Sequence, residues 1–144
     1  MTRRDVVHTG LPRSGTTLAC LLLNKLPDTV ALNEPFNPGM FAEVSSEEVA
    51  CDVIERFYRS MCRKFRRQGV AISKHVGGEV TDNLFGDTRS DTGKRRRRAD
   101  KGRITIDTEL SRNFSLLIKT PGHFTAHLPA PTRRFSAYRT FRQA

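Results

Sequence analysis

The segment that most constrains the fold is residues 6–23, in which an apolar stretch, a polar loop and a leucine-rich stretch follow one another. The first stretch is short and β-branched and predicts a strand over residues 5–9. The leucine-rich stretch contains no helix breaker and predicts a helix over 15–26. A second strand is predicted over 29–32, and the order strand, helix, strand indicates a right-handed parallel crossover. The chain is therefore expected to have an α/β fold.

The loop of this segment, between Gly10 and Gly15, has the properties of an anion site. The amides of such a loop and of the first helical turn point to one place, where the helix dipole also favours negative charge. Arg13 would add a cation, and Thr16 and Thr17 would add hydroxyl groups. A nucleotide-triphosphate loop has the pattern G-x-x-x-x-G-K-[ST], but Thr16 stands here in place of the lysine. A kinase that binds ATP with magnesium is therefore the less favoured alternative to an anion bound without a metal.

Residues 12–17 read Pro-Arg-Ser-Gly-Thr-Thr. At this point the chain resembles the sulfotransferases that use 3′-phosphoadenosine 5′-phosphosulfate (PAPS), whose 5′-phosphosulfate loop commonly reads P-[RK]-S-G-T-T. The resemblance is to the bacterial and protein-tyrosine types. It implies PAPS as the donor co-substrate, no metal, and an acceptor that carries a hydroxyl group. The residues that it assigns to the donor are Arg13, Ser14, Gly15, Thr16 and Thr17.

A carboxylate, Glu34, directly follows the predicted strand at 29–32. Ligands of open parallel sheets bind at the carboxyl ends of the strands, so Glu34 is expected to face the loop. The sulfotransferases that this chain resembles carry a glutamate near this distance from the loop arginine, and it serves as the catalytic base. The resemblance thus implies that Glu34 is the base. The alternative is a solvated loop carboxylate.

A second apolar run, residues 114–119, is the best candidate for another central parallel strand, and Lys119 ends it. In the resembling family a K-x-P motif at the end of a core strand places a lysine near the bridging oxygen of the phosphosulfate, which implies this role for Lys119. The arginine that binds the donor's 3′-phosphate would correspond to Arg142. The serine that should follow it is missing, because the chain stops at Ala144. We therefore expect a partial domain, either truncated or frameshifted, or short and dependent on a partner.

A long amphipathic helix is predicted in the middle of the chain. Residues 45–48, Ser-Ser-Glu-Glu, have the form of a capping box, and the helix is expected to end at Gln68 with Gly69 as its C-cap. Its basic residues face mostly away from its apolar side, either as a solvated face or as a docking surface for an acidic substrate or for the 3′ side of the nucleotide. A strand fragment is predicted over 70–73.

The region 76–103 is expected to be a basic surface excursion. Residues 77–92 are poor in apolar side chains, and residues 94–103 form the densest run of lysine and arginine. Such a run can bind nucleic acid, but interleaved aromatic residues are absent and no zinc-finger spacing surrounds it. We predict a solvated or substrate-facing loop, with no specific nucleic-acid partner.

The composition limits the remaining choices. A chain of 144 residues is expected to form one domain, residues 1–144, built as a P-loop-NTPase-like parallel sheet between layers of helices and incomplete at its end. Its net charge is +10, its three cysteines fit neither a zinc site nor a disulfide framework, and its longest apolar run is too short for a membrane span. These features predict a cytoplasmic protein with reduced cysteines and no membrane partner, and they leave its oligomeric state open.

Two functions follow from these observations. The leading one is a sulfotransferase-like protein that transfers a sulfuryl group from PAPS to a hydroxyl acceptor, with the shortness of the chain putting its activity in doubt. The alternative is a non-catalytic module that binds a nucleotide or a polyanion. Glu34 distinguishes them, because the enzyme needs this carboxylate and the binding module does not.

Overall fold

The computed structural model describes residues 5–11, 14–106 and 109–122. These residues form seven strands, two α-helices and one short 3₁₀ helix, Pro38–Phe41. The strands and α-helices, in chain order, are β1 (Asp5–His8), α1 (Thr16–Leu23), β2 (Thr29–Asn33), α2 (Glu47–Gln68), β3 (Val70–His75), β4 (Phe85–Arg89), β5 (Arg95–Arg97), β6 (Asp100–Thr105) and β7 (Ser115–Lys119). In the described part of the chain, the helices are too short or too polar to cross a membrane.

The core of the fold is a three-stranded parallel sheet in the order β1-β7-β2. The predicted central strand at 114–119 is confirmed, because β7 pairs with β1 on one side and with β2 on the other. Leu116, Leu117 and Ile118 are all buried. Since successive strand residues point to opposite faces, both faces of β7 are covered, as is typical of parallel sheets. The mixed α/β class is therefore confirmed.

The two α-helices begin and end close to the predicted positions. Helix α1 ends at Leu23, where the prediction extended it to residue 26. Helix α2 ends at Gln68 and is closed by Gly69 in the left-handed conformation, as predicted. The predicted capping box is wrong: Ser46 is the N-cap and its hydroxyl accepts from the amide of Val49, so the residue three places after the cap is not a glutamate.

The polar segment after α2 is more regular than its composition suggests. Strand β3 pairs with β6 along six antiparallel residue pairs, and β4 pairs with β5 in a separate hairpin. The prediction of a loop over 94–103 is wrong for most of that run, because it contains β5 and the first part of β6; the irregular stretch predicted over 77–92 contains β4. Long-range backbone pairing overrides the weak strand propensity of arginine, lysine and glycine.

Candidate functional site

The carboxylate that the sequence singled out lies at the carboxyl end of the parallel sheet. Glu34 directly follows β2, and its backbone amide donates to the carbonyl of Lys119 at 2.7 Å. Its φ angle is 47°, a left-handed conformation that non-glycine residues adopt rarely and that concentrates at functional sites. The backbone therefore turns sharply where β2 ends and keeps Glu34 beside the end of β7.

Lys119 is the centre of a buried polar cluster. Its side chain is 3% exposed. Its ammonium donates to Glu34 Oε1 at 2.9 Å, to Asn33 Oδ1 at 3.0 Å and to Thr17 Oγ1 at 3.2 Å. These three bonds equal the three donors of an ammonium group. The cluster joins the ends of β2 and β7 to the first turn of α1, which is where the sequence predicted the site.

Two further lysines approach Glu34 from the antiparallel part of the fold, and sequence reasoning missed both. Lys74 in β3 and Lys101 in β6 are cross-strand partners. The ammonium of Lys74 forms a salt bridge with Glu34 Oε2, so both carboxylate oxygens of Glu34 are engaged. The ammonium of Lys101 donates to the backbone carbonyl of Phe36. Only the pairing of β3 with β6 brings these lysines together, and no local sequence motif indicates that pairing.

The charges of this cluster determine the protonation of Glu34. Burial alone would raise the pKa of Glu34, but the hydrogen bonds and positive charges of Lys74 and Lys119 outweigh it and lower the pKa below its ordinary value. Burial, reinforced by the charge of Lys74, lowers the pKa of Lys101. Glu34 is thus held as an anion by two cations and is a weak base in this arrangement.

For two side chains beside the cluster, Cys20 and His8, burial is the largest cause of the shift in pKa. The thiol of Cys20 is fully buried in α1, and burial raises its pKa to about 12 despite the charge of Lys119. Burial and then Lys119 lower the pKa of His8. Cys20 therefore remains a protonated, unreactive thiol at neutral pH.

The described ends of the predicted anion loop lie close together between β1 and α1, where the amide of Ser14 donates to the carbonyl of Leu11 at 3.2 Å. A Cβ atom added to Gly10 would lie 2.9 Å from Ser14 Oγ and 3.0 Å from Thr16 Cγ2, so the ends of these two side chains lie close to the Gly10 backbone. Gly15 precedes α1 with a φ of 76°, and no side chain caps the helix within the described residues. The hydroxyls of Ser14 and Thr120 are buried and find no hydrogen-bond partner among the described residues. Buried hydroxyls without a partner can donate hydrogen bonds to an anion.

Not every predicted site residue takes part in the cluster. The structure brings Thr17, Glu34 and Lys119 into direct contact, whereas Thr16 turns its methyl group towards Gly10. Arg13 and Arg142, both predicted to bind the donor, lie outside the described residues. Comparisons of this chain with protein families, with curated proteins and with solved structures find no match.

Proposed function

We propose that the chain is a sulfotransferase-type domain that binds PAPS and transfers its sulfuryl group to a hydroxyl acceptor. The observation that carries the proposal is the contact between Glu34 and Lys119, whose charged groups are 2.9 Å apart at the carboxyl ends of two adjacent parallel strands. Ligands of open α/β sheets bind at this edge. A base and a cation, both expected from the sequence, therefore lie together beside the predicted anion loop.

The loop supports PAPS as the ligand. The ends of the Ser14 and Thr16 side chains lie close to Gly10, and the Ser14 and Thr120 hydroxyls find no hydrogen-bond partner among the described residues. Such groups suit the oxygens of a phosphosulfate, and Arg13 would add its guanidinium. The P-loop-NTPase-like arrangement, a strand, a glycine-bounded loop and a helix in a layered fold, is part of the same proposal. When bound, PAPS supplies the sulfuryl group and the phosphate that leaves.

The side chains have distinct roles in this chemistry. Lys119 and Thr17 offset the negative charge that grows on the leaving phosphate, because Thr17 lies in the helical turn that follows the loop and Lys119 bonds to it. Glu34 takes the proton of the acceptor hydroxyl as that oxygen attacks. Asn33, which accepts from Lys119 at 3.0 Å, orients the ammonium and acts as a positioning residue.

The ion pair between Glu34 and Lys119 couples donor binding by Lys119 to proton removal by Glu34. As long as Lys119 bonds to Glu34, the pKa of the carboxyl stays below its ordinary value and its basicity is low. An anion in the loop competes with Glu34 for the ammonium of Lys119. Weakening of that ion pair raises the pKa of Glu34 and makes it a better base. Donor binding thus prepares the base for the acceptor.

The second candidate function is a non-catalytic module that binds a nucleotide or a polyanion. The ion pairs between lysines and both oxygens of Glu34 favour it, because a carboxylate whose two oxygens are already bound can serve to hold strands together without any catalytic role. In that case Glu34 fixes the ends of the strands, and the loop alone holds the ligand.

The first test is calorimetric titration of the full chain with 3′-phosphoadenosine 5′-phosphate and, separately, with ATP plus magnesium. We expect micromolar affinity for the first and at least about tenfold weaker binding of the second, since the loop lacks the lysine of nucleotide-triphosphate sites. A preference for ATP with magnesium would favour the kinase alternative and contradict the proposal.

The second test separates the enzyme from the binding module. With PAPS and a panel of phenols and alcohols, Glu34→Gln should lower sulfuryl transfer by about 10²–10⁴-fold and keep binding of the nucleotide. Glu43→Gln is the matched control, because Glu43 is an exposed carboxylate outside the cluster. Nucleotide binding by both variants with no transfer by the unaltered chain would favour the module.

A further inference from the structure

The hairpin of β4 and β5 carries a concentrated positive charge on a surface that the proposed function does not use. Arg95, Arg96 and Arg97 are all exposed, and Arg89 lies directly opposite Arg95 in the pairing. Because strand residues two apart share a face, Arg95 and Arg97 lie on one face together with Arg89. Like charges placed opposite each other destabilise a two-stranded pair. The hairpin therefore has an arrangement that an anion would stabilise.

The arginines of this face form few hydrogen bonds with the described residues. Arg89 donates to the carbonyl of Gly93 at 2.8 Å and Arg97 to that of Ala99 at 3.1 Å, which uses a small part of their donors. The salt bridge at the base of the hairpin joins Asp82 to Arg98 instead. In the described ranges, no carboxylate forms a salt bridge with the three arginines of the face.

The backbone of the hairpin is also open. Among the described residues the sheet of β4 and β5 has two strands only, and neither strand packs extensively on another element. An edge strand presents a row of unpaired N–H and C=O groups that can pair with another chain. A peptide that adds to such an edge gains its affinity from main-chain hydrogen bonds and its specificity from alternate side chains.

We propose that this hairpin binds an extended acidic segment of a partner protein, which adds as a strand along β5 and places alternate carboxylates against Arg95 and Arg97. The two arginines are about 6.7 Å apart along the strand, which equals the spacing of alternate side chains in an added strand. Guanidinium groups bind carboxylates in a forked geometry. The open backbone edge favours a peptide, which can pair with it through main-chain hydrogen bonds, over a nucleic acid or a membrane surface. The surface is independent of the Glu34 site.

The test is binding of three probes to the full chain: a peptide of alternating glutamate and threonine, the same peptide with every backbone amide N-methylated, and a single-stranded oligothymidine of equal charge. We expect the first peptide to bind and the N-methylated peptide, which lacks the N–H groups of a ladder, to bind at least about tenfold more weakly. The variant R95E/R97E should lose about tenfold or more in affinity for the first peptide. The control R63E/R67E makes the same charge change on exposed positions of α2 and should lose less than about threefold.

Each other outcome overturns the proposal. Equal binding of the two peptides would exclude strand addition, and stronger binding of the oligothymidine would assign the surface to nucleic acid. Equal losses in the two double variants would show attraction by net charge alone. If none of the probes binds, the arginines would instead serve to prevent other chains from pairing with the open edge of β5. Circular dichroism of each variant verifies that the fold is retained, so that a loss of binding is not a loss of structure.

Discussion

The parallel sheet and the β4–β5 hairpin both place positive charge on strands, but they do so under opposite conditions. In the sheet, Lys119 follows three buried apolar residues, Leu116–Ile118, and is itself 3% exposed with three oxygens around its ammonium. In the hairpin, Arg95–Arg97 are all exposed, and Phe85 opposite them is 47% exposed. Burial forces a charge to have partners in fixed positions, whereas exposure leaves it to solvent or to another molecule. The first condition builds a site, and the second builds a surface.

The largest expected effect tests whether apolar side chains are packed more firmly in the parallel sheet than in the hairpin. Ile118 is fully buried in the central strand β7, so Ile118→Ala should lower the free energy of unfolding by about 4 kcal/mol through lost burial and the cavity that remains. Phe85→Ala in the hairpin removes a larger side chain that is half exposed and should cost less than about 1 kcal/mol. Urea denaturation of both variants measures the difference. Equal losses would show that the hairpin is as firmly packed as the sheet.

The next effect tests the buried charge. Lys119→Met keeps the length of the side chain but leaves Asn33 Oδ1 and one oxygen of Glu34 without their donor, and should cost about 3 kcal/mol. Lys64→Met on the exposed side of α2 is the matched control and should change stability by less than about 0.5 kcal/mol. A loss below about 1 kcal/mol for Lys119→Met would mean that the cluster contributes little to the fold and that the lysine is held for ligand binding alone.

The comparison also explains which parts of the fold the sequence could predict. Strands β1, β2 and β7 and helix α2 are marked by apolar runs or an apolar face, because they bury their side chains in one core. Parallel strands share one carboxyl edge, so the meeting of Glu34 with Lys119 could be expected before any coordinates were known.

Only a part of the antiparallel region could be predicted in the same way, namely the strand fragment over 70–73, which lies in β3. Strand β6 is rich in charge, and only its pairing with β3 makes it a strand; that pairing joins segments far apart in sequence. Gly102 illustrates the consequence: a Cβ there would lie 2.8 Å from His75 Nε2, so the glycine makes room for a cross-strand neighbour. Lys74 and Lys101 reach the site through this same pairing, and for this reason a reading of local motifs missed them.

A smaller effect concerns the charge of Glu34 in acid. The lysines lower the pKa of Glu34 in the folded chain, so the stabilisation is fully present above the ordinary value of 4.5 and is lost as the pH falls through the lower, folded pKa. The unfolding free energy of the unaltered chain should therefore exceed that of Glu34→Gln at neutral pH, and the gap should shrink below about pH 4.5. A gap that stays constant through the acid range would show that Glu34 is not ionised in its ion pairs.

The smallest expected effect comes from the ion pair at the base of the hairpin. Asp82 and Arg98 are 2.7 Å apart, but their side chains are 56% and 44% exposed, so water and salt screen the attraction. Asp82→Asn should cost about 0.2–1 kcal/mol and the loss should vanish in about 1 M salt; Asp91→Asn in the exposed turn of the hairpin is the control. A loss above about 2 kcal/mol that persists in salt would place this pair with the buried cluster of Lys119. The difference between the partnered charges of the sheet and the exposed charges of the hairpin would then depend on how many charges lie close together and not on whether they are buried.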